Sequence, residues 1–480
     1  MLYNHKLIMG DNMKRKFDLT QGNIIKALLI VALPTLGSSL IQMAYNLTDM
    51  FWVSRVDQMG MVAEEAVAAV GTVGFYPWFG FGFILLAKIG TSVKVSQAAG
   101  SNDMSLVEKI GNNGLILMGL FGLGYSLFGM FGAPLYVGWF NIDNATVNEY
   151  AVNYMQIVTM FGLAFFSVNL FNGVYDGLGK TINTLFVTSS GLILNMILDP
   201  IFILDEVNVF NLFTINGLGM GVEGAAWATG IGQSSILIIY AAIYASKIRP
   251  FRIRLISQFD WHTIKQIFSI GVYVGVQSML FTTISFFIAR MVASYGTNPL
   301  AIQRIGSQIE SVAWMIASGF QVALAAFVGQ NFGARQYERI KKGYRESMKL
   351  LVPYGIVINI LLFVFAEELF RIFFDDPETL AIGKVYLEIL SISQLFMIVE
   401  LATAGVFNGL GKTMYPSGVG IVGNFLRIPG AMALSVSLGY AGIWWAVSGS
   451  SILKGTVLVI WLIYYLRRLG EPDGLVFEKS

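Results

Sequence analysis

The sequence predicts an all-α integral membrane protein of twelve transmembrane helices in two pseudo-symmetric six-helix lobes, and three observations predict it. The chain of 480 residues is 55% hydrophobic and only 12% charged, with a mean hydropathy of +0.66; that is too apolar for soluble domains of this length. A helix needs about 20 apolar residues to cross the hydrocarbon core, with its backbone groups satisfied internally. Runs of that kind occur at 24–54, 66–93, 107–139, 148–174, 182–204, 222–246, 264–293, 299–327, 343–366, 380–407, 413–436 and 440–466. Finally, Lys and Arg gather in every second connection, as they do on the cytoplasmic side of a bilayer.

Taken in order, residues 1–21 form a polar, basic tail (Lys6, Lys14, Arg15, Lys16) without the apolar core of a signal peptide. Residues 22–246 hold six spans and make the N-terminal lobe. Their outer connections carry Asp57, Glu64 and Glu65, then Asp143 and Glu149, then Asp205 and Glu206. A basic cytoplasmic linker, 247–263, contains Lys247, Arg249, Arg252 and Arg254. The C-terminal lobe occupies 264–468, its basic connection bearing Arg335, Arg339, Lys341, Lys342 and Arg345 and its acidic one Glu367, Glu368, Asp375, Asp376 and Glu378. Residues 469–480 are a second tail. Both termini are expected on the cytoplasmic face of the cell membrane.

The halves repeat. Gly177-Leu-Gly-Lys-Thr181 recurs as Gly409-Leu-Gly-Lys-Thr413, Gln97-Ala-Ala-Gly100 as Gln330-Asn-Phe-Gly333, and Gly224-Ala-Ala-Trp-Ala228 as Gly442-Ile-Trp-Trp-Ala446. An even number of spans per half gives both repeats one orientation, with the substrate path between them. GLGKT is not a phosphate loop, since the required upstream glycine is replaced by Val174 and Val406; the glycines are expected to form a tight turn at the end of a span.

With no cysteine, and with His5 and His262 both outside the apolar runs, disulfides, thiol chemistry and zinc or iron sites are not expected, and no cofactor is implied. The residues that carry chemistry are charged groups within spans, which are costly in lipid and mark ion or substrate pathways. Gln42, Tyr45, Asn46 and Asp49 fall at i, i+3, i+4 and i+7, and Asn195 and Asp199 at i and i+4. No base in the first six runs is an obvious partner, so the two acids are candidate carriers of a proton or, with neighbouring oxygens, of a sodium ion. In the repeat, Ile428 stands opposite Asp199 and Val447 opposite Thr229; the acid belongs to one half only. The second half has Gln303, Ser307, Glu310 and Trp314 on one helical face, with Glu400 and Arg427 on later spans. Arg427 or Arg304 is a candidate partner for Glu310 or Glu400.

Pro34, the Tyr45-Asn-Leu-Thr-Asp49 segment, the repeated turn, Asn195-x-x-x-Asp199-Pro200 and Gly224-Ala-Ala-x-Ala-Thr229, in this order, resemble the multidrug and toxic compound extrusion (MATE) family, and its DinF-type branch in particular. The likeness runs from about Gly22 to Arg468. It implies a V-shaped cavity between two lobes and export of cationic or amphipathic compounds in exchange for protons or sodium ions. By that resemblance Asp49, Asn195, Asp199 and Thr229 couple the cation, Gln42, Tyr45, Asn169 and Asn172 line the cavity, and Pro34 is a hinge of the first helix. The NorM-type branch uses acids on the seventh and tenth spans; this chain has Gln277 and no acid in its seventh run. Gln277, Gln303, Ser307, Glu310, Glu400 and Arg427 form a candidate second-lobe polar group. The competing reading is a flippase of lipid-linked precursors, which needs a cationic cavity, whereas the first-half cavity is acidic. An enzyme is not expected, nor a nucleic-acid partner, and the protein is expected to act as a monomer.

Overall fold

The computed structural model describes residues 19–56, 62–209, 213–247 and 249–470. Among them are fifteen α-helices and one β-hairpin. The first half contains α1 (Ile24–Val53), α2 (Ala63–Gly100), α3 (Met104–Gly138), α4 (Ala145–Met160), α5 (Gly162–Gly177), α6 (Thr181–Ile203), the strands β1 (Glu206–Val209) and β2 (Phe213–Asn216), and α7 (Gly221–Ala245). The second half contains α8 (Trp261–Ala293), α9 (Thr297–Gly333), α10 (Tyr337–Val364), α11 (Ala366–Arg371), α12 (Pro377–Gly409), α13 (Met414–Phe425), α14 (Arg427–Leu438) and α15 (Tyr440–Arg468). Eleven segments are long and apolar enough to span, and α4 with α5, bent by 49° at Phe161, makes the twelfth. The fold is a multi-pass helical bundle of two six-span lobes.

Several helices outrun their apolar segments. At 38 residues, α2 is about 57 Å long at 1.5 Å per residue, well beyond a hydrocarbon core of about 30 Å. Its polar last turns run on to Gly100, and α10 begins at Tyr337, before the basic residues Lys341, Lys342 and Arg345. The antiparallel β1–β2 hairpin, Glu206 opposite Asn216, sits at the acidic end and, among the described residues, is the one stretch of strand.

The repeated turn is built alike in both halves. Gly179 and Gly411 adopt left-handed φ values of 70° and 74°. Gly179 N donates to Asp176 O (3.0 Å) and Lys180 N to Tyr175 O (2.8 Å); Gly411 N donates to Asn408 O (2.8 Å) and Lys412 N to Phe407 O (2.9 Å). These are Schellman caps, which close a helix while satisfying its last carbonyls. The following threonines repeat as well: Thr181 Oγ1 donates to Val31 O on α1 and Thr413 Oγ1 to Ile270 O on α8.

The halves meet at their basic ends in a reciprocal crossing. Gln97 of α2 donates to Gly409 O (3.0 Å), and Gln330 of α9 donates to Gly177 O (3.1 Å). A Cβ on Gly100 would strike the Gln330 carbonyl and one on Gly333 the Gln97 carbonyl, so only glycine allows these helices so close. The linker is not loose. Buried Asn112 and Asn113 of α3 donate to Arg252 O and Gln258 O and accept from Arg254 N and Asp260 N, and Asp260, paired with Lys109 at 2.9 Å, caps α8. Helix α1 is shared. Leu19, Ala27, Leu28, Val31 and Ala32 lie in a core cluster with α9, α10, α12 and α15, whereas Val53 lies in the first-half cluster.

Candidate functional site

A polar network joins α1, α6 and α7 inside the first lobe. Asn195 and Asp199, one turn apart on α6, are 2% and 0% exposed. Asn195 Nδ2 donates to Asp199 Oδ1 at 3.1 Å and reaches Thr229 Oγ1 of α7 at 3.5 Å. Thr229 Oγ1 is 3.3 Å from the hydroxyl of Tyr45 on α1. Asp49, one turn beyond Tyr45, lies in electrostatic reach of Tyr45 and Asp199. The helices come together because Gly232 of α7 rests on the Cβ of Asn195 and Gly191 of α6 on Gly232.

Three oxygens here have no hydrogen-bond partner: Asp49 Oδ1, Asn195 Oδ1 and Asp199 Oδ2. An unsatisfied buried acceptor costs about 1–3 kcal/mol. Carboxylate and amide oxygens are the donors that hard cations take, and a carboxylate also takes a proton. Among the described residues no group of three His, Cys, Asp or Glu side chains makes a transition-metal site.

The other expected residues divide. Gln42 and Asn46 bond to each other (3.2 Å) on the exposed side of α1, so the predicted stripe splits, with Tyr45 and Asp49 turned inward. Asn169 donates to Phe165 O of its own helix. Buried Asn172 accepts from Tyr240 (2.6 Å) and Thr188 (3.4 Å), a second cluster toward the basic end. Pro34 sits within continuous α1, in the stretch where Ala32 and Leu36 lie against Gly319 of the second half; lacking an N–H, it leaves the Ile30 carbonyl without its helical donor.

In the second lobe the acids are already occupied. Glu310 accepts from Tyr386 and from Gln394, both at 2.6 Å. Glu400 pairs with Lys454 at 3.3 Å, not with Arg427 or Arg304, because α15 lays Lys454 across Gly423 within reach of α12. Arg427 donates to Ser450 and Ser451 and lies over Phe281. Gln303 accepts from Trp444 and Trp314 donates to Gln394, whereas Ser307 turns back onto Arg304 O, so the predicted face of α9 is only partly shared. Gln277 lies against Gly420 of α13, away from this group's hydrogen bonds. Lys454 was missed, although a lysine inside the apolar Ile452-Leu-Lys-Gly455 run was a signal in itself. The Lys88–Asp176 pair (3.5 Å) had no local signal.

Membrane-length helices in two halves that end on the same capped turn define a multi-pass membrane protein of repeated design. The MatE family model matches residues 34–201 and 274–433, and the chain belongs to this family of multidrug and toxic compound extrusion (MATE) transporters. It is 25% identical over 452 residues to "Probable multidrug resistance protein NorM" of Thermotoga maritima, covering 92% of both chains. It is 24% identical over 453 residues to "Probable multidrug resistance protein YpnP" of Bacillus subtilis, covering 94% of this chain and 97% of the other. Among solved structures, a MOP superfamily transporter from Pyrococcus furiosus matches with a TM-score of 0.84 at 19% identity, covering 95% of this chain and 98% of that one. An outward-facing multidrug resistance MATE transporter matches at 0.83 and 20%, covering 94% and 98%. At these identities the structures speak to the fold alone.

Proposed function

We propose that this protein is a secondary-active multidrug exporter of the cell membrane that moves cationic and amphipathic small molecules out in exchange for protons or sodium ions. The cation binds in the first lobe at Asp49, Asn195, Asp199 and Thr229, and the lobes 22–246 and 264–468 rock against each other, with Pro34 as the hinge of α1. Both termini are cytoplasmic and one chain is the working unit.

The observation that carries this reading is the contrast in saturation: Asp199 and Asp49 keep buried oxygens without partners, while in the second lobe Glu310 is filled by Tyr386 and Gln394 and Glu400 holds a lysine. An arriving cation gains most where a lone pair is already desolvated and unfilled. The names of the relatives support drug export. Coupling requires that cation and substrate favour opposite states of one equilibrium, so that each weakens the other's binding. The driving force is about 2.3 kcal/mol per charge per 100 mV, plus the concentration gradient.

The test is uptake of a fluorescent cationic dye by liposomes under a pH gradient and, separately, a sodium gradient, with wild type and Asp199→Asn in parallel. Uptake driven by one gradient and lost in the variant identifies the ion. Full activity in the variant removes Asp199 from the mechanism, and no dye movement by wild type under either gradient favours the flippase reading.

A further inference from the structure

The coupling ion must leave the first lobe on the side opposite its entry, and the lobe holds a line of polar groups that leads there. On α6, Thr184, Thr188, Asn195 and Asp199 are spaced by four, seven and four residues, so they share one face. Thr184 is buried on the same face, below Asn195 and Asp199. Between them, Asn172 of α5 receives the hydroxyls of Tyr240 and Thr188, and Thr184 lies beside Tyr240. One turn below Asn172, in the last turn of α5, Asp176 faces Lys88 of α2 at 3.5 Å. Among the described residues, the titratable groups that face Asp176 are Lys88 from α2 and Tyr240 from α7.

The repeat separates scaffold from task. Gly173 packs on Lys88 in the first half, and its counterpart Gly405 packs on Gln321 in the second. By the register of the repeated turn Asp176 corresponds to Asn408 and Asn172 to Ala404, and by the register that pairs Asn195 with Asn424, Asp199 corresponds to Ile428. The same helix crossing therefore stands with amides in place of the ion pair, in the half that also lacks the coupling acid and the mid-path asparagine.

We propose that Asp176, with Lys88, is the inner release station for the coupling cation, reached from Asp199 past Asn172, Tyr240 and Thr184. This rests on the first-lobe coupling site proposed above. For a proton, the O–H bond of the Asp199 carboxylic acid breaks and, through intervening water, an O–H bond forms on the Asp176 carboxylate, which then gives the proton to bulk water. Sodium would be held by the same carboxylate in the same order. Lys88 keeps the vacant station neutral, so that the cation is passed on rather than trapped.

The discriminating variant is Lys88→Gln/Asp176→Asn, which copies the arrangement of the second half and leaves no buried charge unpaired. In liposomes its gradient-driven uptake of the cationic dye falls by at least about fivefold, the lower end of ordinary coupling factors, while dye-for-dye exchange without a gradient stays at the wild-type rate. Tyr240→Phe removes a mid-path hydroxyl and keeps the ring stacked on Phe171; it shows the same selective loss, and decides the matter should the double variant not fold. Wild-type driven uptake in either folded variant overturns the station. Asp199→Asn runs alongside: if it is inactive while the others are normal, only the inner station falls, and if it is fully active, the coupling site itself falls.

Discussion

The two lobes share a scaffold down to their Schellman caps and the threonine that follows each, yet treat buried charge in opposite ways. In the second lobe, Glu310 is filled by a phenol and an amide, Glu400 by an ammonium, and Arg427 by two serines. In the first, Asp49 and Asp199 keep oxygens that nothing fills. Counting acids barely distinguishes the lobes, with Asp49, Asp176 and Asp199 against Glu310 and Glu400. What separates them is saturation, since a carboxylate whose lone pairs are taken has little left to offer an incoming ion.

That difference is open to attack from several sides. The largest effect is expected at the coupling site: Asp199→Asn reduces gradient-driven dye uptake to the level of protein-free liposomes, whereas Glu310→Gln retains most of it. The reverse result would invert the assignment of the lobes. Next come the saturated charges. Glu400→Gln, which strands buried Lys454, lowers stability by about 3–5 kcal/mol, while Glu400→Gln/Lys454→Met recovers most of that loss; thermal unfolding in detergent measures both, and equal losses in the two would show that the pair does not act as a unit.

A smaller effect tests where the lobes are alike. Gly100→Ala and Gly333→Ala each drive a methyl into the partner helix's backbone and each cost about 1–3 kcal/mol. Unequal shifts in melting temperature would break the reciprocity of the crossing. The smallest effect concerns Asp260, whose carboxyl is held below the usual aspartate range by the Thr263 hydroxyl and by Lys109. A carboxyl shifted down stabilises the fold above its unfolded value, near 3.8, and that contribution is lost as pH falls through its folded value. Melting temperature should therefore drop modestly on acidification below about pH 4, and less so in Asp260→Asn.

Much of this was legible in one dimension because its causes are local. Apolar length marks a span, glycine at a positive φ marks a turn, and an aspartate between Leu198 and Pro200 stands out against any apolar run. The α6 pair Asn195 and Asp199 came from helical spacing alone, but nothing in the sequence joined Tyr45 to Thr229, 184 positions apart; the resemblance only placed both in the first lobe. The partner of Glu400 was misjudged because any base in the lobe was a formal candidate until the path of α15 was known. The polar stripe of α1 was too wide an arc for one neighbour to cover, and Gln42 and Asn46 fell outside it. The two glutamines of the crossing were visible as a repeat, yet nothing in the repeat said that each would close on the other half.

Helix α1 belongs to both lobes, and this bears on how the protein is made. Leu19 is anchored by Asn331, 312 positions later, and Ala27 to Ala32 share a core with helices that follow the linker. Contacts so distant in sequence form late. Helix α1, made well before the second half, therefore waits for that half before it can settle, so the lobes cannot mature as independent folding units. Cutting the chain in the linker and expressing the halves apart would leave the opening helix without half of its partners.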